Sequence, residues 1–202
     1  MEEYLKDEVV RTRKTDYPIH PLLQGRCSPR AMSGEEITSD ELMALFEAAR
    51  WSPSSYNAQP WRFLYVKRNT PEWSKLYDTL VEFNQKWTAA ASALILAVSR
   101  DTFEHNNKPA QTHSFDTGSA WMAIALEASH RNLIAHGMQG FDYEKAKINM
   151  QIPAGYTVEA MIAIGKPAPK KALSEDLLKS ETPSKRRPLA EIAREGVFSF
   201  NT

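Results

Sequence analysis

Two basic runs and two small-residue loops hold the side chains best able to do chemistry. Arg26-Cys27-Ser28-Pro29-Arg30 sets two guanidiniums four residues apart with a hydroxyl between them. Such donors can converge on one anion, because guanidinium makes charge-assisted, often bidentate bonds to phosphate oxygens. Ser184-Lys185-Arg186-Arg187-Pro188-Leu189 is a second basic run near the other end of the chain. Taken alone, each run also reads as a solvated charged loop. Gly137-Met138-Gln139-Gly140-Phe141-Asp142 carries glycines that let the backbone approach a flat ligand and expose its N–H groups; an ordinary turn is the plainer alternative. The longest such stretch is Ala48-Ala49-Arg50-Trp51-Ser52-Pro53-Ser54-Ser55-Tyr56-Asn57-Ala58-Gln59-Pro60-Trp61-Arg62-Phe63. Pro53 and Pro60 bias Ser52 and Gln59 away from helical angles and stiffen the loop from both ends. Its Ser and Asn side chains are small hydrogen-bonding groups that also stabilise turns.

The elements that must position these groups are legible in outline. Thr38-Ser39-Asp40-Glu41 is a capping box, and Leu42, Leu45, Phe46 and Ala49 follow on one helical face, so a helix delivers the proline-flanked loop. Trp61 to Val66 reads as the strand that leaves it. Thr70-Pro71 predicts a helix start, with Trp73, Leu76, Tyr77, Leu80 and Phe83 along one stripe and Asn84 at its end. Ala93 to Ser99 reads as a strand buried on both faces, and the polar residues 100–114 as a surface loop. The spacing of Trp121, Ile124, Ala125, Ala128, Asn132 and Ala135 predicts a long helix over 116–136, ended by Gly137. A helix from Tyr143 to Met150 and a strand from Thr157 to Ile164 follow. After Lys166 the composition turns to Pro, Lys, Ser and Glu, which predicts an extended arm.

A chain of 202 residues allows one domain, read here as 1–202 with arms at 1–16 and 167–202. Lys+Arg and Asp+Glu are both 25, so no global basic field argues for nucleic acid or an anionic membrane. The single Cys27 excludes an intrachain disulfide and a zinc framework. His105, His113, Asp101 and Glu104 fit no metal-ligand spacing, so no metal is expected. The acidic Met1-Glu2-Glu3-Tyr4 start is unlike a signal peptide, and no apolar run is long enough to span a bilayer, which leads to a cytoplasmic expectation.

The run from Ala48 to Phe63 resembles the signature of the flavin-dependent nitroreductases, approximately A-R-W-A-P-S-S-x-N-x-Q-P-W-x-F, with only Ser52 departing. R-x-S-x-R at Arg26, Ser28 and Arg30, F-N at Phe83-Asn84, a G-x-x-G-F-D segment at Gly137 and a basic pair before Pro188-Leu189 occur in the family's order. The resemblance implies an α+β fold, with a mixed central β-sheet surrounded by helices. It implies a homodimer with FMN at the subunit interface and a C-terminal arm, anchored by Phe198 and Phe200, exchanged onto the partner. Arg26, Ser28, Arg30 and Arg186, with Arg187 next, would hold the FMN phosphate, and Cys27 would lie among them without a redox role. Asn84, Gln139 and Gly140 would face the flavin ring from the same subunit, and Pro53, Ser54, Ser55 and Asn57 from the other. No side chain is nominated as catalytic, because the cofactor does the hard step. The implied activity is a ping-pong cycle. NADH or NADPH visits transiently and gives hydride to flavin N5, and a nitroaromatic, quinone or related small acceptor follows. The absence of a GxGxxG run agrees with a visiting dinucleotide. The alternatives are an FMN storage or sensor protein without turnover, a specialised family member with a dedicated substrate, or a cofactor-free interaction module.

Overall fold

The computed structural model describes residues 5–200. The Met1–Tyr4 segment of the signal-peptide argument lies outside them. A helix α1 (Leu5–Thr12) and a short α2 (Pro21–Gly25) precede α3 (Ser39–Arg50). The strand β1 (Trp61–Lys67), helices α4 (Trp73–Tyr77) and α5 (Glu82–Thr88), and β2 (Ala93–Arg100) follow. Then come α6 (His113–His130), β3 (Ile134–Met138), α7 (Tyr143–Asn149), β4 (Tyr156–Gly165) and α8 (Glu175–Ser180).

The capping box forms as the sequence predicts. Thr38 Oγ1 accepts the Glu41 N–H at 3.1 Å, and Glu41 Oε2 accepts the Thr38 N–H at 2.7 Å. The four strands lie in the order β1-β2-β4-β3. Alternation along β2 divides the core. Leu94, Leu96 and Val98 join a cluster with Leu76, Trp87, Phe141 and Ala146. Ala93, Ile95 and Ala97 join the opposite cluster with Leu42, Leu45, Ala120 and Ile124. The sheet is therefore sandwiched, with α3 and α6 on one face and α4, α5 and α7 on the other, which is an α+β arrangement.

Three expectations change. All the described strand pairs are antiparallel, not mixed. Neighbouring strands β1 and β2 are joined where Lys67 pairs with Ala93, at the same end, and a parallel pair would need a crossover instead. The helix predicted over 116–136 ends at His130, and Ile134–Met138 is a strand. Asn132, not Gly137, makes the stop. Its φ is 58°, and the Leu133 N–H closes on Ala128 O at 2.7 Å. The apolar residues after it then pair along β4, with Ile134 opposite Gly165 and Met138 opposite Met161.

The third change breaks the predicted helix from Thr70 into α4 and α5. Thr70 Oγ1 bonds to Lys67 O rather than capping, and the Val81 N–H is taken by Gly140 O at 3.1 Å. The Asp142 N–H donates to Thr79 O at 2.8 Å, so a distant backbone segment occupies the place of the missing turn. Asn84 consequently lies in the first turn of α5 rather than at a helix end. In the C-terminal arm, none of the described residues from Gly196 to Phe200 is in a strand, and Val197 and Phe198 are exposed. Among the described residues no helix is long and apolar enough to cross a membrane.

Candidate functional site

The segment leaving α2 carries Arg26 to Arg30 past the start of β3, and the arm after α8 returns across it. Together they enclose a cleft of about 340 Å³ lined by Arg13, Arg26, Ser28, Arg30, His136 and Arg186, with Cys27 and Ser184 at its wall. Arg26 Nη1 donates to Ser28 Oγ at 3.1 Å. Arg186 Nη1 donates to Ser184 Oγ at 2.7 Å. Arg13, just after α1, straps the segment, donating to the carbonyls of Gln24 at 2.9 Å and Arg26 at 2.8 Å. The cations oppose one another. Burial, then Arg186, pulls Arg13 below the usual guanidinium value; burial does the same to Arg26, and Arg186 again adds to it. Burial pushes the Cys27 thiol up, against the pull of Arg13 and Arg26.

Arg30 is held differently. Glu181, which is 1% exposed, accepts the backbone N–H groups of Arg30 at 2.7 Å and Ala31 at 3.2 Å, and its other oxygen lies 3.4 Å from Arg30 Nη1. The Arg30 guanidinium also sits 5.8 Å from the Phe83 ring centroid. Buried Nε atoms of Arg13 and Arg30 have no partner. His136 donates from Nδ1 to Pro29 O at 3.0 Å, since a carbonyl can only accept, and packs on Trp87 with ring centroids 4.6 Å apart. Burial, partly offset by the Pro29 bond and reinforced by Arg30, lowers its pKa to about 4, so the imidazole is neutral.

Arg26 and Ser28 also line a second cleft, of about 440 Å³, with Trp121, Met122, Gly137 and Gln139. The two clefts thus share a wall, one end cationic and the other flat and largely apolar. Asn84 and Gly140 support this end from beside it. Asn84 Nδ2 donates to Gly140 O at 3.0 Å, and Asn84 Oδ1 accepts Trp87 Nε1 at 3.2 Å. A Cβ on Gly140 would lie 2.6 Å from Asn84 Nδ2, so it would displace the Asn84 amide from its bond to Gly140 O.

The loop carrying Pro53, Ser54, Ser55 and Asn57 lines neither cleft. Its shape is nonetheless fixed. Ser54 Oγ accepts the Gln59 N–H at 3.0 Å, and the Ser55 N–H donates at 3.1 Å to Asp116 Oδ2, which also accepts Thr112 Oγ1 at 3.1 Å. Tyr56, Asn57 and Gln59 have φ of 53°, 53° and 47°, left-handed positions interrupted by Ala58 at φ −68° and braced by these bonds. Of the terminal basic pair, Arg186 faces the cationic cleft, while Arg187 lines the clefts beside it. Arg13, Glu181, His136 and Asp116 are the residues sequence reasoning missed. Arg13 carried a signal, its place in the basic run Arg11-Thr12-Arg13-Lys14; the others acquire their roles only from contacts far along the chain.

A sheet between two helical layers thus carries a cationic cleft that runs into a flat one. The chain belongs to the Nitroreductase family, whose model matches residues 23–166. It is similar to a crystal structure of an oxidoreductase containing FMN, with 41% identity and a TM-score of 0.89, covering 94% of this chain and 97% of that one. It is also similar to a Bacillus subtilis (strain 168) protein, YdgI, 37% identical over 75 residues, which are 37% of this chain and 35% of that one. The major NAD(P)H-flavin oxidoreductase of Aliivibrio fischeri is 27% identical over 92 residues, 44% of this chain and 42% of that one. These two alignments span about a third and two fifths of the curated relatives' own lengths.

Proposed function

We propose that this chain is an FMN-dependent NAD(P)H oxidoreductase that reduces nitroaromatic, quinone or related small electron acceptors, working as a homodimer with FMN at the subunit interface. The observation that carries this reading is the pair of joined clefts. Arg13, Arg26 and Arg186 converge at one end in mutual repulsion, and a phosphate dianion relieves it. Ser28 adds a hydroxyl, and Arg30, neutralised by Glu181, holds the segment in place rather than supplying free charge.

At the flat end, Gln139 and the adjoining backbone supply hydrogen-bonding groups, and Trp121 and Met122 supply apolar walls. FMN, when bound, supplies the ring that takes electrons from NADH or NADPH and passes them to the acceptor. The chain's own residues bind and orient. Asn84 fixes Gly140, His136 stays neutral and anchors Pro29, and Asp116 fixes the loop 53–57 for a second subunit's site. The relatives' names, an oxidoreductase containing FMN and an NAD(P)H-flavin oxidoreductase, point the same way.

The visible absorption spectrum of the purified protein tests this, followed by heat release of the flavin. FMN near one per chain is expected, with NAD(P)H oxidation on adding a quinone. A colourless protein that takes up no FMN overturns the reading. An Arg26→Ala/Arg186→Ala protein should lose FMN affinity about a hundredfold or more, since charge-assisted bonds contribute about 1.5–3 kcal/mol each. Full retention would reject these residues as the phosphate site.

A further inference from the structure

The second basic run is only partly used by the reading above. Arg186 turns toward the flavin-phosphate cleft, but Lys185 and Arg187 face a separate opening of about 640 Å³. Its walls are the segment after α1 and the returning arm. Five cations line it, Arg13, Lys14, Lys185, Arg186 and Arg187, against the single carboxylate of Asp16. Among the described residues no carboxylate pairs with Lys14, Lys185, Arg186 or Arg187, although such pairs form elsewhere, as at Arg131–Glu127 and Lys166–Glu35. The same opening has an apolar side. Ile19 and Leu23 are 49% and 43% exposed, and Pro183 and Pro188 line the same opening.

An opening lined by charge of one sign draws anions toward it, and the neighbouring cleft is lined by none of Lys14, Lys185 and Arg187. The two openings are contiguous, because Arg13, Ser184 and Arg186 line both. An occupant that uses the whole opening carries phosphate toward Lys14, Lys185 and Arg187 and a flat apolar part toward Ile19 and Leu23. A simple polyanion would leave that apolar side bare, and a purely apolar ligand would leave the cations unpaired.

We infer that this opening is a binding site for a phosphorylated nucleoside, beside the flavin-phosphate cleft and separate from it. The separateness rests on the proposed placement of the FMN phosphate among Arg13, Arg26 and Arg186. The phosphate sits among Lys14, Lys185 and Arg187, and the base lies on the Ile19, Leu23 and Pro188 surface. The nucleoside could arrive as a free nucleotide, as the adenylate end of a longer flavin nucleotide, or as the phosphorylated adenosine of NADPH. The recognition chemistry is common to all three.

Titration calorimetry of the purified protein with ADP, in low salt without divalent cations, tests this. Saturable binding is expected, with adenosine and inorganic phosphate each binding more weakly. A Lys14→Glu/Lys185→Glu protein should bind ADP at least about tenfold more weakly, the loss of roughly one charge-assisted contact. Its flavin per chain, read from the absorption spectrum, should match that of the unaltered protein.

No binding up to about 5 mM ADP, near the weak limit of specific affinity, overturns the inference. So does unchanged ADP affinity in the double variant, or release of flavin by ADP, which would place ADP in the flavin cleft. If the protein carries no flavin yet ADP binding responds to the charge reversal, the flavin reading fails and this site stands. The source is then separable. Tighter uptake of FAD than FMN marks the adenylate arm. A raised KM for NADPH but not NADH in the variant marks the dinucleotide. Neither effect, with ADP binding retained, marks a free nucleotide.

Discussion

Removing the Glu181 carboxylate tests how the cationic segment is held. Glu181 is buried, and one oxygen accepts two backbone N–H groups, from Arg30 and Ala31. In Glu181→Ala both N–H groups lose their buried acceptor, at about 1–3 kcal/mol each. The Arg30 guanidinium also loses its partner, but its side chain is 22% exposed and regains part of its hydration. The expected loss is about 3–5 kcal/mol, a large share of the roughly 5–15 kcal/mol that holds a domain together. Urea unfolding reads this directly. With an m-value of about 2 kcal/mol/M, the midpoint should fall by about 1.5–2.5 M.

Glu181→Gln separates the two contributions. Its carbonyl oxygen still accepts both N–H groups, while its amide faces Arg30, so it should lose only about 1–2 kcal/mol. A Glu181→Ala protein within about 1 kcal/mol of the unaltered one would refute this account. So would a glutamine variant as unstable as the alanine, because the ion pair, not the two backbone bonds, would then dominate. The alanine variant should also bind FMN more weakly, since the freed N–H groups belong to the segment that presents Arg26 and Ser28.

Other expectations follow from single contacts. Gly140→Ala forces a Cβ to within 2.6 Å of Asn84 Nδ2 and 3.1 Å of Val81 Cγ2, and should cost about 1–3 kcal/mol, seen as a lower Tm. For His136 the folded pKa of about 4 lies below the unfolded value of about 6.5. The unfolded chain therefore binds the extra proton between these values. Stability from this group is complete above about pH 6.5, falls by about 3 kcal/mol as pH drops toward 4, and levels off below. Unfolding curves of His136→Gln across that range should show a slope shallower by this amount; identical slopes would reject a buried neutral histidine. Asp116→Ala frees the Ser55 N–H and the Thr112 hydroxyl, and should increase amide exchange at residues 54–59 while leaving Arg13, Arg26 and Arg186 in place.

The sequence was most informative where an element's cause is local. The Thr38–Glu41 box starts α3 because both halves of it lie within one turn. Pro53 and Pro60 bracket the loop because proline constrains its own neighbours. β2 is apolar from Ala93 to Val98 because it is covered on both faces. Family membership was likewise legible, because its signature is a contiguous run.

Local pattern misled where a distant backbone competed. Ile134 to Met138 continues a helical spacing, yet it is a strand because β4 offers it a ladder and Asn132 turns the chain left-handed. The stripe from Trp73 to Phe83 is helical in spacing, yet Gly140 O and the Asp142 N–H draw the backbone into pairing between α4 and α5. The same holds at the site. Arg26, Ser28 and Arg186 could be nominated from type and spacing, since the demand for cations near a phosphate is chemical. That Arg186 rather than Arg187 faces that cleft, that Arg30 is tied to Glu181, and that Arg13 joins from just after α1 follow only from how α1, α8 and the returning arm pack around one loop. Residue type sets what a side chain can bind. Packing alone sets which side chains meet, because it brings together groups that lie far apart along the chain.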